Sequence, residues 1–297
     1  MKISEAFVEY CRREVRGRGL SVNTEQAYRN TAVALIRCLG DINIKKLSLD
    51  AINDFYLDAI GPNGYKHPQM CKDTARKYIS NVRCVLRFYR KKGVHVLNPD
   101  EIVLPRPEKK YPRFLDNYEY RKILYEVSTP YRGYSNLNRV RNTLIVKMLF
   151  HTGLRVSELC ALNRDSIRNR QFVVVGKSKE PRPCFITKEI EGDIEQYLNM
   201  RSDNNPALFI SVQNGERITP GGVQRVFRRL AQKTGISKVT PHTMRHSFAT
   251  QLLEDGVDIR YVAAFLGHQN ITTTKGYTHV RNSKLHQIYI ENMETHA

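Results

Sequence analysis

The chain has 297 residues, 41% of them hydrophobic, which suits about two domains with real cores and excludes global disorder. It carries 48 Lys and Arg against 29 Asp and Glu, a net charge of +19. Residues 1–106 hold 19 of those bases and 11 of the acids, so both halves are basic and a polyanion touched by both is the natural partner.

Six scattered cysteines (Cys11, Cys38, Cys71, Cys84, Cys160, Cys184) make no C-x-x-C pair and no metal-ligand spacing. The first residues are studded with Glu and Arg, unlike a secretory signal. Reduced thiols in a cytoplasmic protein are therefore expected. The apolar run 144–150 is broken by Lys147 and is too short to span a bilayer, so no membrane association is expected.

The first half reads as helical. Asn23 with Gln26 resembles an N-cap and its capping-box partner, opening a helix through Tyr28, Leu35 and Cys38 that Gly40 ends. Ser48 is placed to cap a second helix carrying Ile52, Phe55 and Tyr56. Residues 61–71, with Gly61-Pro62-Asn63-Gly64, make a loop. Asp73 opens a helix running to Gly93, with Tyr78, Val82, Val85, Leu86 and Tyr89 at core spacing. On that helix Arg76, Arg83, Arg87 and Arg90 fall within a roughly 60° sector, at about 100° per residue. A solvated charged face is the plain reading of such a stripe. Without matching carboxylates, contact with phosphates is the better one.

Residues 98–112 are rich in Pro and charge and read as the passage to a second domain. There, 139–151 reads as a buried helix stopped by Gly153, and 156–162 as a short helix directly after Arg155. Segments 172–175 and 184–186 suggest a small hairpin whose turn carries Lys177 and Lys179. Residues 208–211 suggest a further strand. Thr219-Pro220 and Thr240-Pro241 each open a helix with Pro at its first position, and 258–266 forms a helix closed by Gly267. The last segment, 283–293, places Leu285, Ile288, Tyr289 and Asn292 on one face.

The chemistry concentrates in three stretches. The first is Thr152-Gly153-Leu154-Arg155-Val156-Ser157-Glu158-Leu159. The second is Pro241-His242-Thr243-Met244-Arg245-His246. The third runs from Leu266-Gly267-His268 to Gly276-Tyr277-Thr278-His279. Two guanidiniums grip the non-bridging oxygens of a phosphate and stabilise the extra charge of its transition state without a metal. A phenol with a pKa near 10 needs such cations, or a base, to become a nucleophile. His242 and Arg245 lie three apart at a helix start and share a face. His242 and His246 have the spacing of a zinc helix, but Thr243 stands where a zinc protease has its Glu, and no third ligand is evident. Each motif alone is weak, since a lone His268 is more often structural and Tyr277 is one of 16 tyrosines.

The order Arg, Lys, His-x-x-Arg, His, Tyr resembles the tyrosine site-specific recombinases, close in size and layout to the Xer-type enzymes and related integrases. The resemblance covers nearly the whole chain, though 1–106 matches in length and helical character more than in motif. It implies a mainly α fold with a small antiparallel sheet, arranged as a two-domain C-shaped DNA clamp. In that layout 1–106 is a helical, SAM-like DNA-binding domain, 107–112 a linker, and 113–297 the catalytic domain with a C-terminal docking helix.

By the same resemblance Arg155 and Arg245 clamp the scissile phosphate, and Lys177 protonates the leaving 5′-oxygen, with Lys179 the competing candidate. His242 handles the tyrosine's proton, His268 hydrogen-bonds the phosphate, and Tyr277 attacks it. Glu158, one helical turn after Arg155, supports the site from behind. No metal and no cofactor are implied. The implied partner is double-stranded DNA with inverted-repeat half-sites, bound by a homotetramer or by a heterotetramer with a paralogous recombinase. The final helix is expected to dock on a neighbouring subunit. A type IB topoisomerase and a catalytically silent DNA-binding regulator are the rival readings.

Overall fold

A computed structural model describes residues 1–61, 70–107, 113–130, 133, 135–176, 181–267 and 282–293, the first residues of the last segment by backbone alone. The chain forms two compact units, Met1–Lys110 and Tyr111–Ala297.

The first unit is helical. Helix α1 (Ile3–Tyr10) runs on as a wider π-helical stretch to Arg16, and α2 spans Val22–Leu39, α3 Leu49–Ile60 and α4 Lys72–Lys91. Ser21, not Asn23, caps α2, its side chain accepting from the Thr24 amide. Both residue types can cap, and only Ser21 has the extended backbone that a cap requires. Gly40 ends the helix at φ 78°. Phe7, Leu35, Phe55, Val85, Leu86 and Tyr89 build the core. The Tyr89 hydroxyl donates to the Ala6 carbonyl and to Glu9, which ties α4 to α1.

The second unit is built around α6 (Asn136–Thr152), which is buried on almost every side. Packed on it are α5 (Asn117–Ser128), α7 (Val156–Ala161), α8 (Lys188–Asn199) and α10 (Pro241–Glu254). Helix α9 (Pro220–Thr234) packs on α5, α7 and α10, and α11 (Ile259–Leu266) on α10. Strands β1 (Gln171–Val175) and β2 (Pro181–Phe185) pair antiparallel, Val174 facing Arg182 and Phe172 facing Cys184. Pro181 and Pro183 are tolerated because a two-stranded ribbon has only edge strands, on which a missing N–H can face outward. Residues 208–211 do not form a strand. They carry only an isolated bridge, Ile210 with Arg217, next to another at Ala207 with Asn163.

Helix α12 (Asn282–Met293) buries Ile288, Tyr289 and Met293 against Phe185, Phe248 and Phe265 of its own unit. The final helix, expected on a neighbouring subunit, thus has an apolar seat within its own unit. No helix among the described residues is long and apolar enough to cross a membrane.

Candidate active site

Gly153 starts the site. It ends α6 in the left-handed region at φ 61°, where glycine carries no steric penalty. A Cβ there would stand 2.5 Å from Phe248 Cδ1, so α6 and α10 meet at a distance only glycine allows. The reversal places Arg155 as the N-cap of α7. Its own backbone N–H donates to Glu158 Oε2 at 2.7 Å and its Nη1 to Glu158 Oε1 at 2.8 Å. The carboxylate thus caps the helix and orients the arginine in one arrangement. The Arg155 side chain remains 37% exposed, so its other N–H donors are open to a ligand.

Arg245 comes from α10, where Thr240 caps the helix and Pro241 takes the first position. It is buried. Its Nη1 donates to the Gly153 carbonyl at 2.6 Å and its Nη2 to the Leu266 carbonyl. These carbonyls lie at the C-terminal ends of α6 and α11, where helix dipoles are negative and favour a cation. Gly267, at φ 62°, closes α11. Arg245 Nη1 stands 4.0 Å from Glu158 Oε2. Burial, then the neighbouring positive charges of Arg155 and Arg182, pull its pKa down to about 10.

His242 lies one turn before Arg245 at the exposed start of α10. Its Nε2 is 2.9 Å from Nε2 of His246, within hydrogen-bond distance, and either nitrogen can be the donor. Burial, then His242 and Arg245, lower the pKa of His246 below its usual value. Thus Arg155, Glu158 and Arg245 come together, with His242 on the same helix as Arg245. Lys177, Lys179, His268 and Tyr277 lie outside the described residues.

Arg182 is a member of this cluster that sequence reasoning missed. It sits on the inward side of β2 with a side chain 7% exposed, and its Nη2 donates to Glu158 Oε2 at 2.6 Å. Its Nη1 contacts the Cys184 sulfur at 3.0 Å, and burial pushes that thiol up to about 12, which makes it inert at neutral pH. The only sequence signal was phase: Arg182 is two positions before Cys184 and shares its face.

The arginine stripe of α4 is partly engaged within its own unit. Arg76 Nε donates to the Pro105 carbonyl and Arg83 Nε to the Pro99 carbonyl, each at 2.9 Å. Arg87 Nη2 donates to Asp100 at 2.8 Å. Three of the four therefore hold the Pro-rich segment against their own unit, while Arg90 lines a hollow with Lys45 and His95.

Three guanidiniums around one buried carboxylate leave the cluster with excess positive charge, which suits an anion better than a metal cation. The chain belongs to the phage integrase family, whose model matches residues 113–284. Tyrosine recombinase XerC of Staphylococcus aureus (strain MRSA252) is 30% identical over 298 residues, covering 97% of this chain and 95% of that protein. The same fold occurs in the Tn1549 transposon integrase, solved in complex with circular intermediate DNA (TM-score 0.71, 20% identity, 97% of this chain and 98% of that one). It also occurs in a lambda integrase dimer bound to a COC′ core site (TM-score 0.71, 18% identity, 95% of this chain and all of that one).

Proposed function

We propose that the protein is a site-specific DNA recombinase that cuts and rejoins strands through a 3′-phosphotyrosyl intermediate. The observation that carries this is the Arg155–Glu158–Arg245 cluster, in a chain of the phage integrase family. Tyr277 attacks the phosphorus and the bond to the 5′-oxygen breaks. His242 takes the phenol's proton, and Lys177, or Lys179 in its place, supplies one to the leaving oxygen. Arg155 and Arg245, with His268, hold the charge that builds on the phosphate. A 5′-hydroxyl of a partner strand then attacks the phosphotyrosine, restores the phosphodiester and frees Tyr277. One bond is exchanged for another of similar energy, so the cycle calls for neither ATP nor a metal.

The two basic units serve as the halves of a clamp on duplex DNA, residues 1–106 binding and 113–297 catalysing. Four protomers, identical or paired with a paralogue, act on two inverted-repeat sites through a Holliday junction. The setting is the cytoplasm, in chromosome dimer resolution or in integration and excision of a mobile element. The lambda integrase tetramer solved on a Holliday junction shares the fold and supports this assembly.

The test uses nicked duplexes enriched by binding from the DNA flanking the gene. Wild-type protein should form a covalent adduct on them, unaffected by EDTA. Tyr277→Phe should bind the same DNA and form none. An adduct that survives in that variant sinks the assignment of the nucleophile.

A further inference from the structure

Resting on the recombinase reading, we infer that Arg182 is a positioning residue of the phosphate site, acting through Glu158 on Arg155 and Arg245. Four observations converge on it. Its guanidinium and the Glu158 carboxylate are both almost wholly buried and 2.6 Å apart. The oxygen it binds, Oε2, also accepts the backbone N–H of Arg155 and faces Arg245 at 4.0 Å. Its stem fills the space at Gly267, where a Cβ would stand 2.7 Å from Arg182 Cδ. Its strand leads directly out of the 176–180 connection that carries Lys177.

The contact has an electrostatic consequence. Without Arg182, Glu158 Oε2 would keep only the Arg155 backbone N–H and would draw the Arg245 guanidinium into a pair that neutralises it. Arg182 occupies that oxygen, so Arg245 stays on the Gly153 and Leu266 carbonyls with its remaining donors available. The charge count points the same way. Three guanidiniums against one carboxylate leave an excess of two positive charges. A phosphodiester carries one negative charge, and its pentacoordinate transition state carries two. The cluster with Arg182 matches the transition state, and the cluster without it matches the ground state.

The experiment measures adduct formation on the nicked duplexes described above, alongside equilibrium DNA binding and melting temperature. Arg182→Met should bind DNA within about threefold of wild type but form adduct about ten- to a hundredfold more slowly. Arg182→Lys should recover part of the rate. In a Glu158→Gln background, Arg182→Met should slow the reaction little further, because the route it acts through is already cut. Equal rates for Arg182→Met and wild type overturn the inference, as do losses that multiply independently in the double variant. A simple structural role would lower binding and melting temperature in parallel with rate, and that result also overturns it. If Arg182→Met does not fold, Arg182→Gln, which also lacks the positive charge, takes its place in the same comparison with the same outcomes. A wild-type protein that forms no adduct overturns the recombinase reading itself.

Discussion

Arg245 shows how burial is made tolerable for a cation. Two carbonyls at helix C-termini and a nearby carboxylate hold it where an isolated charge would be expelled. The same surroundings depress the pKa of its neighbour His246, first by burial and then by the positive field of His242 and Arg245. A histidine whose folded pKa lies below its unfolded value of 6.5 binds fewer protons folded than unfolded as the pH falls through that window. Its contribution to stability is therefore present above pH 6.5 and is lost on acidification. Melting temperature should drop between pH 7.5 and 5.5, and His246→Gln should make that drop smaller, since less than one proton of uptake is removed. Thermal melts of both proteins at the two pH values check this, and identical drops would refute it.

At the scale of elements, Gly153 joins α6, α7 and α10, and its cost can be separated into parts. Gly153→Ala meets both the left-handed backbone penalty and the Phe248 ring at 2.5 Å. Gly235, which ends α9 at φ 69°, has nothing within 4 Å of its virtual Cβ and bears the backbone penalty alone. Gly235→Ala should cost about 1–2 kcal/mol and Gly153→Ala on the order of 2–4 kcal/mol. Calorimetry should rank them in that order, and equal losses would mean that α10 yields freely. Elements with a punctuated start and a clear face were legible in the sequence: α3 from Ser48, α4 from its apolar spacing, α9 and α10 from Thr-Pro, and α11 from Gly267. Helices α1, α5 and α8 were not. The one in 188–199 contains Gly192 and five charged residues, so its burial of Ile190, Ile194 and Tyr197 depends on α6 rather than on local signal. Arg155, Glu158 and Arg245, which the structure brings together, were legible because their motifs are local. Arg182 was not, because a charge between two prolines looks like a turn until its carboxylate partner, 24 positions away, is brought to it.

For the whole molecule, charge is the property that reaches furthest. An excess of +19 spread over both units predicts an affinity for duplex DNA dominated by counterion release. With six or more phosphates neutralised, affinity should fall about a thousandfold between 50 and 200 mM salt. A logarithmic slope shallower than about −2 would show that few phosphates are touched. The α4 arginines give this a second, sharper form, because the sequence treats them alike and the structure does not. Arg83 is committed to the Pro99 carbonyl and to Asp100, whereas Arg90 lines an open hollow beside Lys45 and His95. If the first unit grips DNA through that hollow, Arg90→Ala should reduce the slope by about one and weaken all sequences alike. Arg83→Ala should leave the slope unchanged and instead loosen the Pro-rich segment, visible as faster proteolysis there. Salt titrations of both variants decide the matter: equal slope changes would return the stripe to the single phosphate-contacting face that its helical spacing suggested.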